Sequence, residues 1–354
     1  MQRRTFLSTL AVGGLMAAGR SPGRAEDAPR LKIGQIGTGH AHADGKLAAL
    51  RRSPDFEVVG VVEPDERRRR AAASRRDYAG VKWLSESELL ATPGLKAVAI
   101  ETEVKDLLAA GARGVAAGLH LHLDKPAGES LPEFARLLDA ATRRGLTVQL
   151  GYMFRYNPAF ELCFRAVREG WLGRVFAIEA VMGKVVGAAE REKLRPYRGG
   201  AMFELGCHVI DAAVAVLGKP VKVTALGRHS GEFADGLADN QLATLEYPDA
   251  LVTVRSSFVE VAGGPRRQFV VCGDAGTVDI RPLEPPALRL ALAKAGHGYQ
   301  AGYQDVVLAS RPRYEADFAD LARVIRGAKA FAWTPAHDLA VQETVLRASG
   351  LPVG

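Results

Sequence analysis

Glu204, His208 and Asp211 fall at i, i+4 and i+7 of an otherwise apolar stretch, so on a helix they form a single stripe. A carboxylate, an imidazole and a second carboxylate suit proton transfer. The imidazole accepts a proton near neutral pH, and a neighbouring carboxylate steadies the imidazolium. A fully satisfied buried network would use the same residue types, and that reading stays open beside the first. A second candidate is Lys125 in Asp124-Lys125-Pro126, which closes the apolar run 119–123. In an ordinary turn this lysine would be solvated; at the C-terminal end of a strand in an open α/β sheet it would point at a ligand.

These groups need elements to hold them. The apolar run 31–36 ends in Gly37-Thr38-Gly39, and the run 56–62 ends at Glu63. Glycines after a first strand let backbone approach a pyrophosphate, and the helix that follows offers its free N–H groups. Gly37, Thr38, Gly39 and His40, with Glu63, Asp124 and Lys125, are therefore expected to line a dinucleotide site, although His42 stands where a third glycine is usual. Glu63 is placed to accept ribose hydroxyls and to repel a 2′-phosphate, which favours NAD; the run Arg67 to Arg70 keeps NADP open. Runs 97–100, 119–123 and 147–150 alternate with helical stretches, giving an α/β fold with a doubly wound parallel sheet over residues 30–150.

From residue 151 the pattern changes. Runs 175–181, 221–226, 241–246, 251–258, 267–272 and 277–280 are rich in β-formers and joined by turn residues. They predict an α+β domain over 151–354, built on an open, mainly antiparallel sheet framed by helices at 201–217, 314–325 and 335–350. Leu251, Thr253, Arg255 and Ser257 leave one face of that sheet mixed in character.

The bulk numbers limit what these elements can serve. A chain of 354 residues, 47% hydrophobic, builds two cores. Its net charge of +7 falls to +3 without Arg3, Arg4, Arg20 and Arg24, so a nucleic-acid partner is not expected. Cys163, Cys207 and Cys272 are scattered and read as buried thiols. Residues 1–25 carry a basic start, an apolar stretch too short to span a bilayer, and small residues for cleavage. Arg3-Arg4 followed by Phe6-Leu7 resembles a twin-arginine signal; no cysteine follows the apolar stretch, so no stable membrane anchor is expected. His40-x-His42-x-Asp44 is also a pattern that a metal-dependent barrel hydrolase would show, with His120 and His122 as further ligands. No eight-fold strand and helix repeat supports it, and no metal is expected.

The chain resembles the Gfo/Idh/MocA family of sugar and inositol dehydrogenases, marked by a glycine-rich loop, a Glu-Lys-Pro and a Gly-Gly-x-x-x-Asp-x-Gly-x-His-x-x-Asp helix. The counterparts are Gly37 and Gly39, Asp124-Lys125-Pro126, and the stretch from Gly199-Gly200 through Glu204 and His208 to Asp211. Gly151-Tyr152-Met153-Phe154-Arg155-Tyr156-Asn157-Pro158 is similar to the family's crossing into the second domain. The resemblance spans the whole chain beyond the leader. It implies an NAD(P)-dependent oxidoreductase acting on a hydroxyl-bearing carbon of a sugar, cyclitol or related polyol. His208 would take the hydroxyl proton, Glu204 would stabilise the imidazolium, and Lys125 would polarise the same oxygen. Arg155, Asn157 and Asp211 would bind other hydroxyls of this small substrate. Two features depart from the pattern. Glu204 is one methylene longer than the usual residue, and Glu101-Thr102-Glu103-Val104 stands where a Thr-Pro followed by histidine is common.

The resemblance implies three further properties. The open sheet face pairs subunits into a homodimer or homotetramer. The export machinery carries the folded chain to the periplasm, as in members of the glucose-fructose oxidoreductase type. The periplasm maintains no nicotinamide pool, so the cofactor is tightly bound. A redox-assisted glycosidase of the same fold and a non-catalytic sensor of cofactor and sugar remain the alternatives.

Overall fold

A computed structural model describes residues 29–354; the leader read at 1–25 lies outside them. The first sheet has five parallel strands, β1 (Leu31–Ile36), β2 (Phe56–Val62), β3 (Leu95–Ile100), β4 (His120–Leu123) and β5 (Val148–Leu150), in the order β2-β1-β3-β4-β5. Ala97, Val98, Ala99 and Ile100 of β3 are wholly buried, as a strand covered by helices on both faces must be. The helix Ala43–Arg52 turns Leu47 and Leu50 inward, as its spacing predicted.

The second sheet contains β6 (Val175–Gly183), β7 (Lys222–Arg228), β8 (Asn240–Glu246), β9 (Leu251–Ser257), β10 (Gln268–Gly273), β11 (Gly276–Leu283), β12 (Pro286–Leu292) and β13 (Gly302–Val306). Their order is β13-β12-β11-β10-β6-β9-β8-β7, and every neighbouring pair is antiparallel except β6 with β9. The expectation of an open, mainly antiparallel sheet holds. Its last run ends at 280 and so omitted β12 and β13; Pro286 is the first residue of β12, a position that needs no donor. Leu251, Thr253 and Arg255 face outward, whereas Ser257 is buried, with its hydroxyl accepting from the Val259 N–H.

The helices also depart from expectation in three places. The stretch 201–217 begins as a π-turn, Met202–Gly206, before the α-helix Cys207–Leu217. The helices Pro158–Arg168 and Ala188–Leu194 were not foreseen. The last two helices, Glu315–Ile325 and Pro335–Ala348, reach back to the first sheet's layer: Phe318 packs on Phe56, and Gln342 bonds the backbone at Ala127 and Gly128. Cys163 and Cys207 are buried, burial pushing each thiol up to about 12; Cys272 is only half-buried.

One buried ionic knot fastens these layers. Arg155, after β5, places Nη2 2.6 Å from Asp211 Oδ1 on the helix Cys207–Leu217 and 2.6 Å from Asp338 Oδ1 on the last helix, with Trp333 stacked on its guanidinium. All three charges are out of water. Removing the cation leaves two buried carboxylates facing each other, a loss of about 3–5 kcal/mol for a broken buried pair. Arg155→Met should therefore lower the urea midpoint of unfolding sharply, whereas Arg174→Met, at an exposed pair with Asp274, should leave it within error. An unchanged midpoint for Arg155→Met would show that the knot carries no stability.

Candidate active site

Two backbone crossings shape the glycine loop. Gly37 has φ +91°, and a Cβ there would lie 2.6 Å from the Thr102 nitrogen. A side chain is excluded on both counts. A Cβ on Gly39 would press on Glu103 at 3.0 Å. The loop leaves beside it a cavity of about 280 Å³ lined by Gly37, Gly39, Glu63, Pro64, Arg68 and Thr102. Glu63 Oε2 accepts from both the N–H and the hydroxyl of Thr38 at 2.8 Å, and Arg68 lies between Glu63 and Glu103. A bare backbone cradle at a helix N-terminus, with a carboxylate at the next strand end, fits a dinucleotide.

Beneath the loop lies a cluster of buried charges. Asp124, wholly buried after β4, has Lys46 Nζ and His40 Nδ1 each at 2.7 Å from Oδ2, while Oδ1 accepts from the Lys125 N–H at 2.6 Å and lies 3.3 Å from His42 Nδ1. Burial opposes its charge, but His40, Lys46 and His42 together hold the carboxyl well below the usual range. Lys46 also bonds Glu101 at 3.1 Å; burial and the facing Asp124 push Glu101 well up. Gly151 is a glycine for the same reason, since a Cβ would lie 2.6 Å from Lys46 Nζ.

Sequence reasoning missed Lys46 and Glu101. Lys46 shares a helical face with Ala43 and Leu50, both buried, and that register was a legible signal of its burial. His40, His42 and Asp124 bring donor atoms within 4.8 Å of one another, the cluster that a metal reading would use. Asp44 turns away to Arg75 at 2.8 Å, His122 bonds Gln149 and His120 accepts from the Thr147 N–H, so the further ligands of that reading point elsewhere. The ammonium of Lys46 supplies the positive charge beside Asp124.

The structure brings Lys125, Glu204 and His208 to one cleft but pairs them differently from expectation. Lys125 Nζ bonds Glu204 twice, the carbonyl at 2.8 Å and Oε1 at 3.1 Å. Burial opposes the charge of Lys125, yet the Glu204 carboxylate outweighs it and its pKa is raised. Glu204 is thereby committed to the lysine, and among the described residues it makes no hydrogen bond to His208. The π-turn re-spaces the two side chains, so the single stripe is broken. His208 Nδ1 is buried without a partner, and its ring lies among Tyr152, Phe154 and His42. Burial, then Lys125 and His42, hold its pKa well below the ordinary value, leaving a neutral imidazole.

The three residues expected to bind substrate hydroxyls have scaffold partners instead. Arg155 and Asp211 are bonded to each other in the knot described above. Asn157 Oδ1 accepts from the Ala159 N–H at 2.9 Å, capping the helix Pro158–Arg168.

The comparisons agree with this geometry. Residues 31–152 match the sequence model described as an oxidoreductase family with an NAD-binding Rossmann fold, and residues 160–279 match that of the GFO/IDH/MocA C-terminal domain. An uncharacterized oxidoreductase of Rhizobium meliloti is 30% identical over 198 residues, 55% of this chain and 59% of that protein. The trans-1,2-dihydrobenzene-1,2-diol dehydrogenase of Homo sapiens is 28% identical over 222 residues, 62% of this chain and 65% of its own. The chain thus spans about three-fifths of the curated relatives it matches. Among solved structures, the aldose-aldose oxidoreductase of Caulobacter crescentus superposes with a TM-score of 0.76 at 19% identity, covering 91% of this chain and 98% of that one. With both sheets in place and both halves matched, the chain belongs to the GFO/IDH/MocA family of oxidoreductases.

Proposed function

We propose that this protein is an NAD(P)-dependent dehydrogenase acting on a hydroxyl-bearing carbon of a sugar, cyclitol or related polyol. The observation that carries the reading is the Lys125–Glu204 pair beside a neutral His208, at the strand ends next to the glycine cradle. A relative named for a diol substrate supports the same chemistry. Bound nicotinamide supplies the hydride acceptor or donor. Lys125 holds the substrate oxygen and polarises it, and His208 receives the hydroxyl proton. Glu204 keeps Lys125 charged and in place. This replaces the expected role of Glu204 as partner of the imidazolium.

We further propose an exported, cofactor-retaining homo-oligomer. Arg3-Arg4 with Phe6-Leu7 supports export by the twin-arginine machinery to the periplasm. Retention against a micromolar pool or less requires dissociation in the range ~1 nM to 1 μM. Glu63 and Glu103 flank Arg68, so a 2′-phosphate would meet two carboxylates, which favours NAD over NADP. The outward face of the second sheet exposes Leu226, Leu242, Leu251 and Tyr303, and this supports subunit pairing there.

Three outcomes test these readings. With a polyol that reduces NAD, His208→Asn should lower turnover by the ~10²- to 10⁴-fold typical of a lost acid or base. Lys125→Met should be similarly damaging, with cofactor affinity near native for His208→Asn; unchanged turnover would remove the residue from the chemistry. Mature protein dialysed without nucleotide and then denatured should release NAD near one per chain; release of NADP would reverse the cofactor preference, and an empty protein would end the retention proposal. Light scattering at micromolar concentration should give the mass of a dimer or tetramer, and a monomer mass would contradict the pairing face.

A further inference from the structure

His42 has no part in the mechanism above, yet its ring faces His208 with the Asp124 carboxylate behind it. Its Nδ1 lies 3.3 Å from Asp124 Oδ1, the geometry that puts the ring proton on Nδ1 and turns a lone pair at Nε2 to the cleft. Among the described residues, Nε2 makes no hydrogen bond. The ring occupies the position of the third glycine in the loop, retains 17% exposure, and stands with its centroid 6.2 Å from that of His208. No hydrogen bond joins the two rings, and one oxygen atom bonded to both can bridge such a separation.

The two imidazoles differ in what they can do with a proton. His208 faces Lys125 and has no carboxylate partner, so its imidazolium is poorly held. His42 charged would pair with Asp124, itself backed by Lys46 and His40.

We propose that Asp124 and His42 form a second acid–base dyad in the cleft, and that the proton drawn from the substrate by His208 is passed on to His42. The proposal rests on the dehydrogenase reading above. In oxidation the reacting O–H bond breaks, its electron pair stays on the oxygen that becomes a carbonyl, and the proton goes to His208; the C–H pair leaves as hydride to the nicotinamide of that reading. His208 then gives its proton to a neighbouring hydroxyl of the same substrate, while that hydroxyl gives its own to His42 Nε2. One N–H and one O–H bond break, one of each forms, and no electrons move in this second step. The substrate class is therefore a vicinal diol within a polyol, with the second oxygen between the rings.

The pH dependence follows from the groups facing His42. His40 flanks it on its own loop; His122, Asp124 and Lys125 act on it from β4 and its end; Glu204, His208 and Tyr314 complete its charged and titratable surroundings. Burial lowers its pKa to about 4, with Asp124 opposing. His42 must be neutral to receive the proton, so oxidation is lost as pH falls through that value in the complex.

Nitrogen-15 spectra of the histidine-labelled full chain, saturated with NAD, test the dyad directly. At neutral pH, His42 should carry its proton on Nδ1 with Nε2 bare, and Asp124→Asn should abolish that preference. A proton on Nε2 in the native protein overturns the dyad whatever the substrate. Kinetics supply the second arm, with D-xylose, myo-inositol and trans-1,2-cyclohexanediol as probes and cyclohexanol as the single-hydroxyl control. His42→Gln should lose ~10²-fold or more in turnover of the diols and lose the acid limb of the profile, a loss much larger than it shows with cyclohexanol. Unchanged diol turnover and an unchanged profile overturn the proposal. If the native protein oxidises none of the probes, the dehydrogenase reading fails, while the nitrogen spectra still decide whether His42 and Asp124 are paired.

Discussion

A single buried carboxylate organises this site. Asp124 has no exposure to water, and its negative charge is tolerable only because Lys46, His40, His42 and the Lys125 backbone N–H converge on it. These partners come from three parts of the first layer: Lys46 from the helix after the glycine loop, His40 and His42 from the loop itself, and the Lys125 N–H from the end of β4. Satisfying one charge therefore fixes the loop against the strand that carries Lys125. Glu101, at the end of β3, is drawn into the same arrangement through Lys46. A change at any one of these side chains leaves a buried charge or dipole without its partner, and that is what couples them.

Two local departures from regular backbone then direct the side chains that line the cleft. Glycine at position 37 lets the loop pass within contact of Thr102, so the loop sits close over the end of β3 with the cavity beside it. The π-turn Met202–Gly206 acts on the opposite wall, separating Glu204 from His208. One side chain goes to Lys125, and the other to the aromatic surroundings of Tyr152 and Phe154.

The two layers and most of their strands could be read from periodicity, because hydrophobic runs of β3 and β10 and the turns between them are local signals. The candidate site was legible in its membership and not in its pairing. Lys125, Glu204 and His208 do meet, but assignment of Glu204 to His208 assumed an unbroken α-helix, and a π-turn leaves no mark in residue spacing. Arg155 and Asp211 were read as groups for substrate because charged residues near a cleft invite that reading; they are bonded to each other, and the second carboxylate on Arg155, Asp338, lies more than a hundred residues further along the chain. Lys46 was passed over because lysine on a surface-type helix is ordinarily solvated, and only the third dimension supplies the two carboxylates that bury it.

The exchange of the family's helix aspartate for Glu204 now has a physical account. Lys125 Nζ is bonded both by the carboxylate and by the carbonyl oxygen of the same residue. At the π-turn the carbonyl of Glu204 points to the lysine, and the Cys207 thiol donates to it as well. The ammonium is thus located by backbone, which has no side-chain entropy to lose, and the carboxylate needs only to reach it. A side chain one methylene longer can bend to meet a cation whose place is already set. What the carboxylate must supply is charge, to keep a wholly buried ammonium protonated next to a neutral imidazole. That division, position from the π-turn carbonyl and charge from Glu204, leaves His208 without a carboxylate of its own and makes the Asp124 side of the cleft the place where an arriving proton finds its counter-charge.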